Sequence, residues 1–104
     1  MLNDLSKRIR EIAVAHGFWD TERNFGEMIA LAHSELSEAL EEHRAVDPCA
    51  SYIKDGKPEG YAIELIDCII RCLDTIGPDV DIDMLMEQKM KYNENRPYKH
   101  GKNY

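Results

Sequence analysis

Residues 26–44 read GEMIALAHSELSEALEEHR, and residues 59–76 read EGYAIELIDCIIRCLDTI. Both stretches repeat apolar side chains at spacings of three and four, the period of an α-helix rather than the alternation of a strand. On a wheel of about 100° per residue, Met28, Ile29, Leu31, Ala32, Leu36, Ala39 and Leu40 fill one arc of the first stretch. Glu35 falls inside that arc, flanked by Leu31, Met28 and Ala39, and Glu38 sits at its edge, about 60° away. Glu41 and Arg44 face outward, as solvated charges should. A carboxylate inside an apolar stripe is costly to desolvate unless a metal, a cation or a proton pairs with it.

The second stretch sharpens the anomaly. Ala62, Ile63, Leu65, Ile66, Cys68, Ile69, Ile70, Cys72, Leu73 and Ile76 make it apolar around most of its circumference. Such a helix belongs at the centre of a bundle or at an interface. Its polar residues Glu64, Asp67, Arg71, Asp74 and Thr75 do not scatter but share one strip, about 100° wide.

Each stretch therefore carries acids at i and i+3, Glu35/Glu38 and Glu64/Asp67, and that spacing puts both side chains of a pair on one helix face. Packed together, the helices would gather four carboxylates that repel one another and raise some of their pKa values. An all-oxygen ligand set suits Mg²⁺, or Mn²⁺ as a substitute, far better than zinc. Glu-x-x-Glu alone is an ordinary surface pattern; two pairs, each intruding on an apolar face, point to a metal. A di-iron carboxylate bundle needs Glu-x-x-His on its helices, and no Glu here has His three residues on. His33 and His43 read as surface, capping or supporting residues.

Working outward, a first helix spans about Leu2–His16, with Leu5, Ile9, Ile12 and Ala13 on one face and Gly17 at its end. A linker, Phe18–Phe25, leads to the second helix, Gly26–Arg44. Asp47-Pro48 and Gly56-Lys57-Pro58 mark a loop over residues 45–58. The third helix, Glu59–Ile76, stops at Gly77-Pro78, and Asp81 or Asp83 caps a fourth, Ile82–Asn93. No segment alternates with period two. The expected fold is all-α: one domain over residues 1–104, a four-helix bundle without a sheet, its second and third helices antiparallel and central. A chain of this length buries only about 60–65% of its unfolded surface, and the third helix is apolar on nearly all sides, so a homodimer or homotetramer should complete the core.

The net charge of −7 disfavours a nucleic-acid binder, which needs a basic footprint. Residues 89–104 set Lys89, Lys91, Arg96, Lys99 and Lys102 against Glu94 alone, a local excess of +4 that leaves −11 on residues 1–88. An acidic body with a basic tail suits a site where metal and cationic side chains meet a small anion. No apolar run approaches the roughly 20 residues of a membrane span, and the N-terminus lacks a signal-peptide pattern. Cys49, Cys68 and Cys72 show no zinc spacing and read as reduced thiols, Cys68 and Cys72 buried, so the cytoplasm is the expected compartment.

Glu35-Leu36-Ser37-Glu38, followed by Glu64-Leu65-Ile66-Asp67, resembles the signature of the MazG-like all-α nucleoside triphosphate pyrophosphohydrolases. His16-Gly17-Phe18-Trp19, Arg23–Leu31, and Lys89–Asn93 leading to Asn95-Arg96-Pro97-Tyr98-Lys99-His100-Gly101 are similar to segments of a small MazG-like subgroup. The resemblance implies hydrolysis of the α–β phosphoanhydride of nucleoside triphosphates to monophosphate and pyrophosphate. It implies Mg²⁺ held by Glu35, Glu38, Glu64 and Asp67, either Glu35 or Glu38 serving as base. It places Trp19 near the nucleobase, as an alternative to plain core, and Lys89, Asn93 and Arg96 at phosphate oxygens. A helical interaction or antitoxin-like module keeping the fold without turnover is the other reading.

Overall fold

Three of this chain's helices begin where side chains take their free N–H groups. The computed structural model describes residues 1–104 as four α-helices: α1 (Leu2–Ala15), α2 (Phe25–His43), α3 (Tyr61–Ile76) and α4 (Ile82–Glu94). The Asn24 side chain accepts the Glu27 N–H at 3.1 Å and so opens α2. Asp81 accepts the Met84 N–H at 3.1 Å and opens α4. Asp83 does not cap its own helix. Its carboxylate accepts the N–H groups of Leu2 (2.7 Å) and Asn3 (3.4 Å), while Asn3 Oδ1 accepts those of Ile82 (2.8 Å) and Asp83 (3.2 Å). The N-termini of α1 and α4 thus cap each other.

The expectation of no sheet is corrected. Residues 52–59 form a hairpin of β1 (Tyr52–Lys54) and β2 (Lys57–Glu59), with Tyr52 opposite Glu59 and Lys54 opposite Lys57. Asp55 and Gly56 both take positive φ, 53° and 79°, the two-residue turn whose twist matches that of paired strands. Glu59, expected to open the third helix, instead ends β2. Gly60 follows at φ 120°, where an added Cβ would lie 2.5 Å from the Ala50 carbonyl oxygen. The carbonyls of Cys49 and Ala50 then accept the N–H groups of Tyr61 and Ala62. This junction fixes where α3 starts.

α2 and α3 pack antiparallel along their length: the His43 ring meets Tyr61 edge-on at 5.0 Å, and Arg71 meets Glu35. α1 lies across α3, where Ile9, Leu73 and Ile82 form a small core with Leu2 against it. α4 packs against α1, its first residue Ile82 reaching Leu73 of α3, and no Cα of α1 lies within 8 Å of one in α2. The bundle is therefore open. Its radius of gyration is 16.4 Å, against about 13 Å for a compact chain of this length. Its accessible surface is 8266 Å², against about 6,000 Å² for a compact monomer of this mass. Leu65, Ile69 and Ile76 on the outer face of α3, and Leu36 and Leu40 on α2, stay exposed. Cys72 is exposed too, contrary to expectation, and Cys68 is half-buried; all three cysteines are free. No helix is long and apolar enough to cross a membrane.

Candidate metal centre and its cleft

Because α2 and α3 run antiparallel, the acids that each helix places on its inner face meet. Glu35 is buried, Glu64 and Asp67 are half-buried, and one carboxylate oxygen from each lies within 4.8 Å of the others. Glu38 sits outside that group on an exposed position, yet near enough to lower the pKa of Glu35 and raise that of Glu64. Three of the four expected acids form the centre, and the fourth stands at its rim.

The charges are handled unequally. Arg71 Nε donates to Glu35 Oε1 at 2.8 Å, while Glu35 Oε2 is buried with no donor in reach. Burial works to raise the Glu35 pKa, but the Arg71 bond, the Glu38 and Glu64 contacts and the Arg71 charge outweigh it and hold it below the usual value. Burial, then the close carboxylates of Glu38 and Glu35 and the charges of Glu38 and Asp67, push Glu64 up to about 7. Burial and the Glu35 charge also raise Asp67. The cluster thus keeps one carboxylate ionised and holds a proton on another near neutrality.

The separation of α1 from α2 leaves a cleft of about 520 Å³ with α3 as its floor. Ile9, Ile12, Phe18, Met28 and Ile70 supply apolar wall, and Glu35, Asp67, Arg71 and Asp74 line the polar side. The size and the mixture of apolar wall with a few polar groups are those of a small-molecule site. The acidic centre therefore opens into a cleft rather than onto bare surface.

At the other end of the same strip, Asp74 is a hub that the acid pattern did not single out. It accepts from Arg10 Nε at 2.7 Å, from Trp19 Nε1 at 3.1 Å and from Arg23 at 3.4 Å. The Arg10 guanidinium also stacks on the Trp19 ring at 3.8 Å. Its place in the α3 polar strip was the available signal. Trp19 is accordingly a buttress, absent from the cleft lining, where Phe18 is the aromatic present. The α4 and tail residues are not brought to the acids within one chain. Lys89 and Arg96 flank the Tyr92 ring at 5.2 and 5.4 Å, and Asn93 Oδ1 is buried without a partner. Beyond Ile82, α4 packs only along α1.

Compared with protein-family models, curated proteins and solved structures, the chain matches none.

The raised Glu64 pKa has a defined pH consequence. A carboxyl with a folded pKa near 7 and an unfolded value near 4.5 binds its proton more tightly when folded. Its contribution to stability is full below about pH 4.5 and is lost as pH rises through about 7. A cation at the centre must displace that proton. Added Mg²⁺ should therefore raise the melting temperature more at about pH 8 than at about pH 5.5. Thermal melts with and without Mg²⁺ at both pH values check this, and an equal rise at both would contradict it.

Proposed function

We propose that this chain is a Mg²⁺-dependent nucleoside triphosphate pyrophosphohydrolase of the MazG-like kind, acting as a homo-oligomer. One observation carries the reading: Glu35 Oε2, buried and without a donor, lies in a cluster of carboxylates beside a cleft. A buried unpartnered anionic oxygen is expensive, and a hard divalent cation is the ligand that would relieve it. The fit is good, since Glu35, Glu64 and Asp67 offer oxygen alone and nothing soft. These residues would hold the ion, with Glu38 at the rim, and the ion would neutralise phosphate charge and lower the pKa of a water.

The remaining work falls to the chain. Ile9, Ile12, Phe18, Met28 and Ile70 would cover a planar base and exclude water from it. Glu35 commits one oxygen to Arg71, which leaves Glu38, exposed and adjacent, to take the proton of the attacking water. The water oxygen bonds to phosphorus, the bridging P–O bond breaks, and pyrophosphate and nucleoside monophosphate separate. Positioning and electrostatics account for most of such catalysis, so no nucleophilic side chain is needed. A panel of nucleoside triphosphates with Mg²⁺, read as pyrophosphate release, tests the reading. Absence of release from every member would leave the non-catalytic helical module instead.

A second copy is part of the proposal. The surface in excess of a compact monomer is about 2,300 Å², the scale that obligate partners cover. Leu65, Ile69, Cys72 and Ile76 follow i, i+4, i+7, i+11 spacing on α3, the stripe that a neighbouring helix packs against. If Lys89, Asn93 and Arg96 contact phosphate, a second copy must bring them, since beyond Ile82 α4 packs only along α1 within its own chain. Light scattering should return a dimer or tetramer, and Ile69→Lys should dissociate it. A stable monomer of 12.0 kDa at micromolar concentration would overturn this.

A further inference from the structure

Arg71 is paired with Glu35, yet the bond uses only Nε. A guanidinium carries five N–H donors in a rigid fork. Neither terminal amino group of Arg71 has a hydrogen-bond partner. Both belong to a side chain that lines the cleft and is about one-third exposed (36%). The other two arginines near the strip differ. Arg10 commits Nε and Nη2 to the side chain and carbonyl of Asp74, and Arg23 is paired with Asp74 Oδ2. Arg71 is thus the cleft cation that is bonded to the acidic cluster and has donors to spare; Arg23, which also lines the cleft and commits only Nη1, lies at the Asp74 end of the strip.

We infer that Arg71 is a polyphosphate-binding residue: Nε stays on Glu35 while the two terminal amino groups take phosphate oxygens of a ligand in the cleft. The inference rests on reading the cleft as a polyphosphate site. Its physical basis is local. An acidic centre repels a polyanion, and a cation bound there attracts it from one side only. A guanidinium anchored by one nitrogen has lost most of its rotamer freedom already, so its free fork meets an oxyanion bidentately at low ordering cost. A lysine at this position would have one ammonium to divide between Glu35 and the ligand.

The experiment uses tripolyphosphate and Mn²⁺ as probes, by calorimetry, on wild-type protein, Arg71→Gln and Arg71→Lys. Wild type should bind tripolyphosphate in the presence of Mn²⁺. Arg71→Gln should lose roughly tenfold or more of that affinity, the scale of a charge-assisted phosphate contact, while Mn²⁺ alone binds as well as before. Arg71→Lys keeps a charge beside Glu35 and so retains the fold should Arg71→Gln fail to; it should lose affinity in the same direction. Loss of Mn²⁺ binding in both variants would reduce Arg71 to an orienter of Glu35 and overturn the inference. So would unchanged tripolyphosphate affinity in Arg71→Lys, or no binding to wild type. If wild type binds tripolyphosphate without Mn²⁺ and the variants lose it, Arg71 stands and the metal reading falls.

Discussion

Asp67→Asn and Glu64→Gln should each lower pyrophosphate release by at least about 100-fold, since changing even the residues that support metal ligands costs about 10–100-fold. Glu41→Gln should leave it unchanged. Glu41 lies one turn from the site but faces solvent, where it pairs with an equally exposed Arg44 at 3.6 Å. The contrast separates a metal centre from an acidic surface, which would treat all three substitutions alike. Glu38→Gln occupies a third class. It should cut turnover by about 10²–10⁴-fold, the usual contribution of a general base, while sparing Mn²⁺ binding. Stability divides the acids differently. Asp67→Asn removes a carboxyl whose pKa is raised by burial and by the Glu35 charge, so the metal-free protein should hold or gain stability. Glu35→Gln deprives Arg71 of its ionic partner and should lower it. Turnover, Mn²⁺ binding and melting temperature on one set of variants read all three. Normal turnover by Asp67→Asn would remove the carboxylate mechanism.

The helices and the acidic pairs were legible because both depend on local periodicity. Glu35 stood out as a charge inside an apolar arc, and its burial follows from that arc meeting α3. The hairpin escaped because its strands are three residues long and largely exposed, so no alternation of buried and exposed positions could mark them. Only Asp55-Gly56 signalled it, read as loop rather than as a turn between strands. Trp19 illustrates a second limit. The resemblance places it near the base, with plain core as the alternative; its partners come from 55 residues away and from α1, and sequence spacing does not place them. The Glu35–Arg71 pair hides for the same reason, since it joins two helices 36 residues apart. The separation of α1 from α2, which makes the cleft, depends on how α1 crosses α3 and is not written in any one helix.

Asp74→Ala should destabilise the fold by about 3 kcal/mol, the lower end of the cost of removing one partner from a buried ion pair. The Asp74 side chain is 8% exposed, and it answers two guanidinium groups and an indole N–H at once. Arg10 and Arg23 are themselves only 25% and 20% exposed, so neither recovers full hydration when the carboxylate goes. Some of the loss is softened because Arg10 retains its bond to the Asp74 carbonyl at 2.7 Å and its stacking on Trp19. Asp74→Asn preserves shape and an acceptor, so it should cost less than Asp74→Ala and report the charge alone. Asp79→Asn, on an exposed position just beyond α3, should change stability by no more than about 0.5 kcal/mol. Because Asp74 joins α1, the 18–23 linker and α3, its loss should also let the cleft wall move. Arg23 and Phe18 line that wall, so any ligand whose base they cover should bind more weakly to Asp74→Asn even where the protein stays folded. Urea denaturation at fixed protein concentration measures the first effect, and ligand titration of the folded variant measures the second. A hub that merely decorates the surface would give Asp74→Ala and Asp79→Asn the same midpoint.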